Sequence, residues 1–226
     1  TLDRMLIGVE ALLRWQHPHD GLLPPGRFLP AIEASELTLP VGEWVLHAAL
    51  AQKRDWQRQG IDLPVSVNVF GLHLQRSDFV ERLQAILAAY PGVDPRGLEL
   101  EILETTALDD VDAIAARLAE CARLGVRSAI DDFGTGFSSL TYLRKLPAGL
   151  VKIDRSFVID LLDNTEDQAL VKGIVGMAHS LGRTVLAEGV ESFEHGTHLL
   201  RCGCDWAQGY GIARPLPPGE IPAWLA

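Results

Sequence analysis

The sequence predicts an α/β fold: an eight-stranded (β/α)8 barrel whose first strand lies upstream of residue 1. Three observations lead there. First, β-rich runs alternate with longer amphipathic stretches along all 226 residues, as parallel strands joined by helical crossovers do. Second, the strand–helix units visible from Met5 onward number seven, one short of a closed barrel. Alternation alone would also suit a doubly wound open sheet. The third observation decides: polar residues gather near the C-terminal ends of the strands, on the face opposite each apolar stripe. In a barrel those positions converge on the C-terminal mouth, where such folds hold their active sites.

Side chains alternate across a strand, so parity sorts the two faces of each run. In "MLIGVEALLR", Gly8 and Glu10 share one face, with Arg14 at the same parity, and Val9 and Ala11 share the other. A helix over 41–59 follows. In "PVSVNV", Val65, Val67 and Val69 oppose Ser66 and Asn68. After a helix over 79–89, "GLELEILE" sets Leu98, Leu100 and Ile102 against Glu101. Glu99 shares the inward parity and finds no role. A helix over 112–124 leads to "RSAIDDF", where Asp131 opposes Ile130 and Asp132 stands just past the strand's end. In "GLVKID", Val151 and Ile153 oppose Lys152 and Asp154. A helix over 166–181 precedes "TVLAEGV", where Val185 and Ala187 oppose Leu186 and Glu188, and "DWAQG" closes the series. No linker rich in Pro, Gly or Ser divides the chain, so a single domain over 1–226 is expected, cut from a larger protein.

Hydrophobic residues make up 47% of the chain, ample for a large core, and charged residues 22%. The formal net charge of −10 argues against binding DNA or RNA duplexes or anionic membranes. Three cysteines, Cys121, Cys202 and Cys204, are read as packing residues of a reducing compartment. No apolar run approaches ~20 residues, and no leader opens the chain. A soluble, cytoplasmic domain is the expectation.

Glu10, Asn68, Glu101, Asp131 and Glu188 would ring the mouth, with Asp132 beside them and Lys152 among them. So many carboxylates stay ionised together only if cations neutralise them. Oxygen-only ligation favours hard ions, Mg2+ or Mn2+, with Ca2+ the expected inhibitor. Asp131 is placed to bridge two of them. Tyr210 has two readings, a stacking surface for a base or a rim residue.

"EALLRW", at Glu10–Trp15, resembles the signature of EAL domains, the phosphodiesterases that act on cyclic di-GMP. The resemblance continues in order through "HPHDGLLPPGRFLP", "SVNV", "LELEILET", "IDDFGTGFSSL", "LVKIDRSFV", "AEGVES" and "GCDWAQGYGIARPLP". It implies a modified TIM barrel whose usual first strand, with its "Q-P-I" segment, is missing here. It also implies two metal ions held by Glu10, Asn68, Glu101, Asp131, Asp132 and Glu188. Lys152 matches the lysine that polarises the attacking water, Arg14 the arginine that contacts a substrate phosphate, and Gln208 a glutamine that orders the site. Glu104 matches the glutamate that anchors the loop over 132–139, which couples dimer contacts to metal binding. The implied product is linear 5′-pGpG, and the implied partners are a second copy of the chain and a sensory or GGDEF module in the parent protein. Phe70 departs from the small or hydroxyl residue found in many members, at a position that is not a ligand. Two rivals carry their own signals. His17 and His19 form an H-x-H pair as in metal-dependent amidohydrolases, but the other histidines fall in helices or loops. A receptor that binds cyclic di-GMP without cutting it would have lost ligands that this chain keeps.

Overall fold

The computed structural model describes residues 5–104, 110–136 and 139–225. Among them are strands β1 (Val9–Ala11), β2 (Trp15–His17), β3 (Gly21–Leu23), β4 (Val65–Asn68), β5 (Leu98–Leu103), β6 (Arg127–Phe133), β7 (Leu150–Ile153), β8 (Thr184–Ala187) and β9 (Trp206–Ala207). The helices are α1 (Leu29–Glu33), α2 (Thr38–Gln57), α3 (Gly71–Leu74), α4 (Phe79–Ala88), α5 (Val111–Arg123), α6 (Ser139–Lys145), α7 (Thr165–Ser180), α8 (Phe193–Cys202) and α9 (Ile221–Leu225).

All seven runs read from the sequence contribute strands to one parallel sheet, in the order β1-β4-β5-β6-β7-β8-β9. Its two edges meet through side chains, since Gln208 Nε2, just past β9, donates to Glu10 Oε2 on β1 at 2.5 Å. The sheet therefore curls into a modified TIM barrel, with no backbone pairing between β1 and β9 among the described residues.

Alternation builds two apolar layers. Outside the sheet, Val67, Leu100, Ile130, Val151 and Val185 pack with helix residues such as Leu50, Leu83, Ile114 and Val175 in one continuous core. Inside the barrel, Ala129, Leu150 and Leu186 form a small separate cluster with Trp206. The helices start where the sequence supplies caps. Asp110 Oδ1 accepts from Ala113 N at 3.0 Å to open α5, and Asn164 Oδ1 accepts from Glu166 N at 2.9 Å to open α7.

One element differs from the sequence reading. "WQHPHDGLL" forms an antiparallel hairpin, β2 with β3, in which Trp15 pairs with Leu23 and His17 with Gly21. His17 Nδ1 accepts from the backbone of Asp20 at 3.1 Å and of His19 at 3.3 Å. The H-x-H pair is thus committed to the turn. Among the described residues, no helix is long and apolar enough to cross a membrane.

The segment after β9 is zipped to the one after β8. Val190 N donates to the Gln208 carbonyl at 3.0 Å, and Gly211 N to the Val190 carbonyl at 2.8 Å. This close approach needs Gly209, where an added Cβ would fall 2.3 Å from both Val190 N and Val190 O. Gly209→Ala is expected to cost about 2 kcal/mol or more through forced backbone movement, read as a lowered midpoint in thermal denaturation.

Candidate active site

β7 sends Lys152 into the barrel, where it is only 1% exposed. Its Nζ lies 2.7 Å from Glu188 Oε1, 3.0 Å from Glu101 Oε1, 3.0 Å from Asp131 Oδ1 and 3.6 Å from Glu10 Oε2. The four acids come from the end of β8, from β5, β6 and β1, so the cluster exists only once the sheet has closed. Asn68 Nδ2 ties two of them together, donating to Glu10 Oε1 at 2.9 Å and Glu101 Oε2 at 3.3 Å. Glu10, Asn68, Glu101, Asp131, Lys152 and Glu188, which parity put on one face, therefore converge, and Gln208, matched by the family resemblance, joins them through Glu10.

The sequence reading put Asp132 just past the strand's end, but β6 runs on to Phe133, so Asp131 and Asp132 are neighbours on one strand and should point to opposite faces. A bulge removes that constraint. The β6–β7 register runs from Ile130 opposite Val151 to Phe133 opposite Ile153, three steps on β6 against two on β7. Asp132 also takes a left-handed φ of 51°, which a short polar side chain tolerates better than most. As a result Asp131, Asp132 and Glu188 offer carboxylate oxygens all within 4.8 Å of one another.

One ammonium faces a cluster of carboxylates, and the imbalance appears in their proton affinities. Burial works against the Lys152 charge, but Glu101, Glu10, Asp131 and Glu188 outweigh it and hold the ammonium firmly protonated. Burial pushes Glu101 well up, with Glu10 and Asp131 adding and Lys152 opposing. Glu188 is pushed up to about 7, chiefly by burial against the pull of Lys152. Burial, Asp131 and Asp154 push Asp132 up to about 6. Glu10 goes the other way: burial would raise it, but Lys152 and the amides of Gln208 and Asn68 outweigh that and lower it.

The donor set fits a hard divalent cation. Asp131 Oδ1 and Glu188 Oε1 are buried and meet Lys152 at ion-pair distance but without the angles of a hydrogen bond. Buried polar oxygens in that condition are rare and call for a partner. With Asp132 they present an all-oxygen, anionic group, the chemistry suited to Mg2+ or Mn2+.

Glu104, at the end of the β5 segment, is 1% exposed and reaches the turn after β6. Its Oε2 accepts from Gly134 N at 3.0 Å and Gly136 N at 3.2 Å. A Cβ on Gly136 would lie 2.6 Å from Glu104 Oε1, so the glycine leaves room for the carboxylate. The rest of the loop, Phe137 and Ser138, lies outside the described residues. Arg14 is not drawn into the cluster. Its guanidinium donates to the Leu13 carbonyl at 2.8 Å and makes no ion pair with a site acid among the described residues. Asp154 is the participant that sequence reasoning passed over, although it has the parity of Lys152. It bonds to Asp132 and accepts from Ser156 N at 3.0 Å.

The metal-free protein should lose stability as pH rises through this window. The native Glu188 carboxyl keeps its proton up to about 7, whereas the unfolded one releases it near 4.5. The folded state binds more protons in between, so the stabilisation is complete below about 4.5 and gone above about 7. Thermal midpoints in chelator are expected to fall from pH 5 to pH 8. Lys152→Met should cost about 3–5 kcal/mol at pH 8, because it leaves buried carboxylates unpaired, and clearly less at pH 5 in the same melts.

A model of the EAL domain family matches residues 2–215. The bifunctional diguanylate cyclase/cyclic di-GMP phosphodiesterase MucR of Pseudomonas aeruginosa is 41% identical over 222 residues, which is 98% of this chain and 32% of MucR. The oxygen sensor protein DosP of Escherichia coli is 38% identical over 222 residues, 98% of this chain and 28% of DosP. The chain thus spans about a third of the length of these curated relatives. Among solved structures, the PaMucR phosphodiesterase–c-di-GMP complex superposes with a TM-score of 0.90 at 42% identity, covering 95% of this chain and 87% of that one. The FimX EAL domain from Pseudomonas aeruginosa bound to c-di-GMP gives 0.84 at 26% identity, covering 91% and 82%. The family model covers nearly the whole chain, and the chain belongs to the EAL-domain family.

Proposed function

We propose that this chain is a metal-dependent phosphodiesterase that hydrolyses cyclic di-GMP to linear 5′-pGpG. The observation that carries the reading is the mouth cluster, in which Lys152 stands among four carboxylates and the oxygens of Asp131, Asp132 and Glu188 gather within 4.8 Å. Glu10, Asn68, Glu101, Asp131, Asp132 and Glu188 would hold two divalent ions, Mg2+ or Mn2+. When bound, the ions supply Lewis acidity to the phosphate and lower the pKa of water.

The chain's own groups do the positioning. Water adds to phosphorus in line, the bond from phosphorus to the 3′ oxygen breaks, and that oxygen takes a proton from solvent water as it leaves, while the proton of the attacking water is finally returned to solvent. The Lys152 ammonium, 2.7 Å from Glu188, holds the water oxygen, and Glu188 takes its proton. Gln208 and Asn68 fix the two oxygens of Glu10 from opposite sides. Arg14 grips a phosphate oxygen by a charge-assisted hydrogen bond once substrate gives it a partner better than the Leu13 carbonyl. Tyr210 is 59% exposed, two residues past Gln208, with the Arg214 guanidinium 4.6 Å from its ring centroid. That stacked pair offers a guanine a flat face beside the mouth. The reading extends to a homodimer through the loop after β6, supported by the family resemblance, and to a parent protein with further domains, supported by the greater length of the relatives.

Purified protein with Mg2+ or Mn2+ should convert cyclic di-GMP to pGpG, resolved by chromatography, and Glu10→Ala should lose about 100-fold or more of that activity. Tight binding of intact nucleotide without product would make the domain a receptor and sink the proposal. Tyr210→Ala is expected to raise KM several-fold for cyclic di-GMP with kcat little changed. It should leave turnover of bis(p-nitrophenyl) phosphate, which has no guanine, as it was.

A further inference from the structure

The barrel has a second chamber at its opposite end. There the N-terminal ends of β5–β9 and the turns before β6 and β7 surround a half-open, mainly apolar cavity of about 310 Å3, in which Glu99, Arg127, Ser128 and Thr184 are polar and Leu150 and Trp206 form part of the apolar wall. The volume is within the range of small-molecule sites. The inner apolar cluster of Ala129, Leu150 and Leu186 lies between this chamber and the acid cluster at the mouth. The two ends are chemically separate although they share strands.

Glu99 makes this chamber unusual. It is only 9% exposed, accepts no hydrogen bond among the described residues, and lies 4.0 Å from its nearest cation, Arg127 Nε. The Arg127 side chain is itself 44% exposed, so solvent screens its charge while that of Glu99 stays buried. The Glu99 carboxylate has one long ion pair and no direct hydrogen bond among the described residues, so it can still accept from a donor that enters the chamber. The half-buried indole of Trp206 forms part of the same wall, with no ring partner and no bond from its N–H among the described residues. A carboxylate and an indole lining one cavity is the combination that captures organic cations, one supplying charge and the other a π surface. A bare metal ion would find only a single carboxylate and is poorly served.

We propose that the floor of the barrel is a second binding site, for a small organic cation with an amine or guanidinium head, its charge met by Glu99 and its body laid on Trp206. The site is independent of the phosphodiesterase reading. The probe is propylguanidinium, with propylurea as its uncharged counterpart of similar shape, titrated by calorimetry into the purified chain. Saturable binding of the cation and not of the urea is expected. It should weaken about tenfold or more in Glu99→Gln and persist in Glu10→Gln, which alters only the mouth. Absence of saturable binding, equal affinity in Glu99→Gln, or loss in Glu10→Gln would each overturn the proposal, the last by assigning the cation to the mouth. Should Glu99→Gln melt early, Trp206→Leu carries the same test, and unchanged affinity there refutes the site. Nucleotide turnover is not the readout, so failure at the floor leaves the mouth reading intact.

Discussion

The Lys152 ammonium is the interaction on which the rest of this domain depends. Four carboxylates, from β1, β5, β6 and the end of β8, meet within 3.6 Å of it, and its own side chain is only 1% exposed. Without that charge the strands would present only mutual repulsion to one another. With it the ring is held together yet remains net negative, and the residual charge is what a divalent cation can use. The same arrangement stabilises the fold incompletely and prepares the site for metal. Buried acids with raised proton affinity are the cost of keeping that capacity open.

Around the lysine, each support has a definite mechanical task. The bulge in β6 turns two successive carboxylates toward one mouth, which regular pleating forbids. Glu104, just past β5, ties down the turn beyond β6 by accepting from two backbone N–H groups. Gln208 spans the unpaired seam between β9 and β1 and holds Glu10 in place. Closure of the barrel and completion of the site are therefore one event at this seam.

The interior of the barrel is layered from mouth to floor: an acidic ring around Lys152, an apolar plug of Ala129, Leu150 and Leu186, then the chamber with Glu99 and Trp206. The layers follow from strand parity. Glu99 lies two residues before Glu101 on β5, and Leu150 two before Lys152 on β7. One set of inward positions thus carries chemistry at both ends, separated by a thin apolar barrier.

Period-two alternation was enough to assign the seven strands and to put Glu10, Asn68, Glu101, Asp131, Lys152 and Glu188 on one face, because a strand's side-chain direction is a local property of its backbone. The order of the motifs was enough to suggest the family for the same reason: it is written along the chain. Local pattern failed where geometry depends on a neighbour. The "WQHPHDGLL" hairpin has too few residues for its alternation to stand out, and it forms through pairing of Trp15 with Leu23. Asp132 and Asp154 come together only because β6 bulges against β7 and Asp132 adopts a left-handed backbone. That Glu99 faces a cavity instead of filling a packed floor depended on the volumes of residues from five strands. Direction is encoded residue by residue, whereas distance, charge balance and empty space arise only when distant segments are brought together.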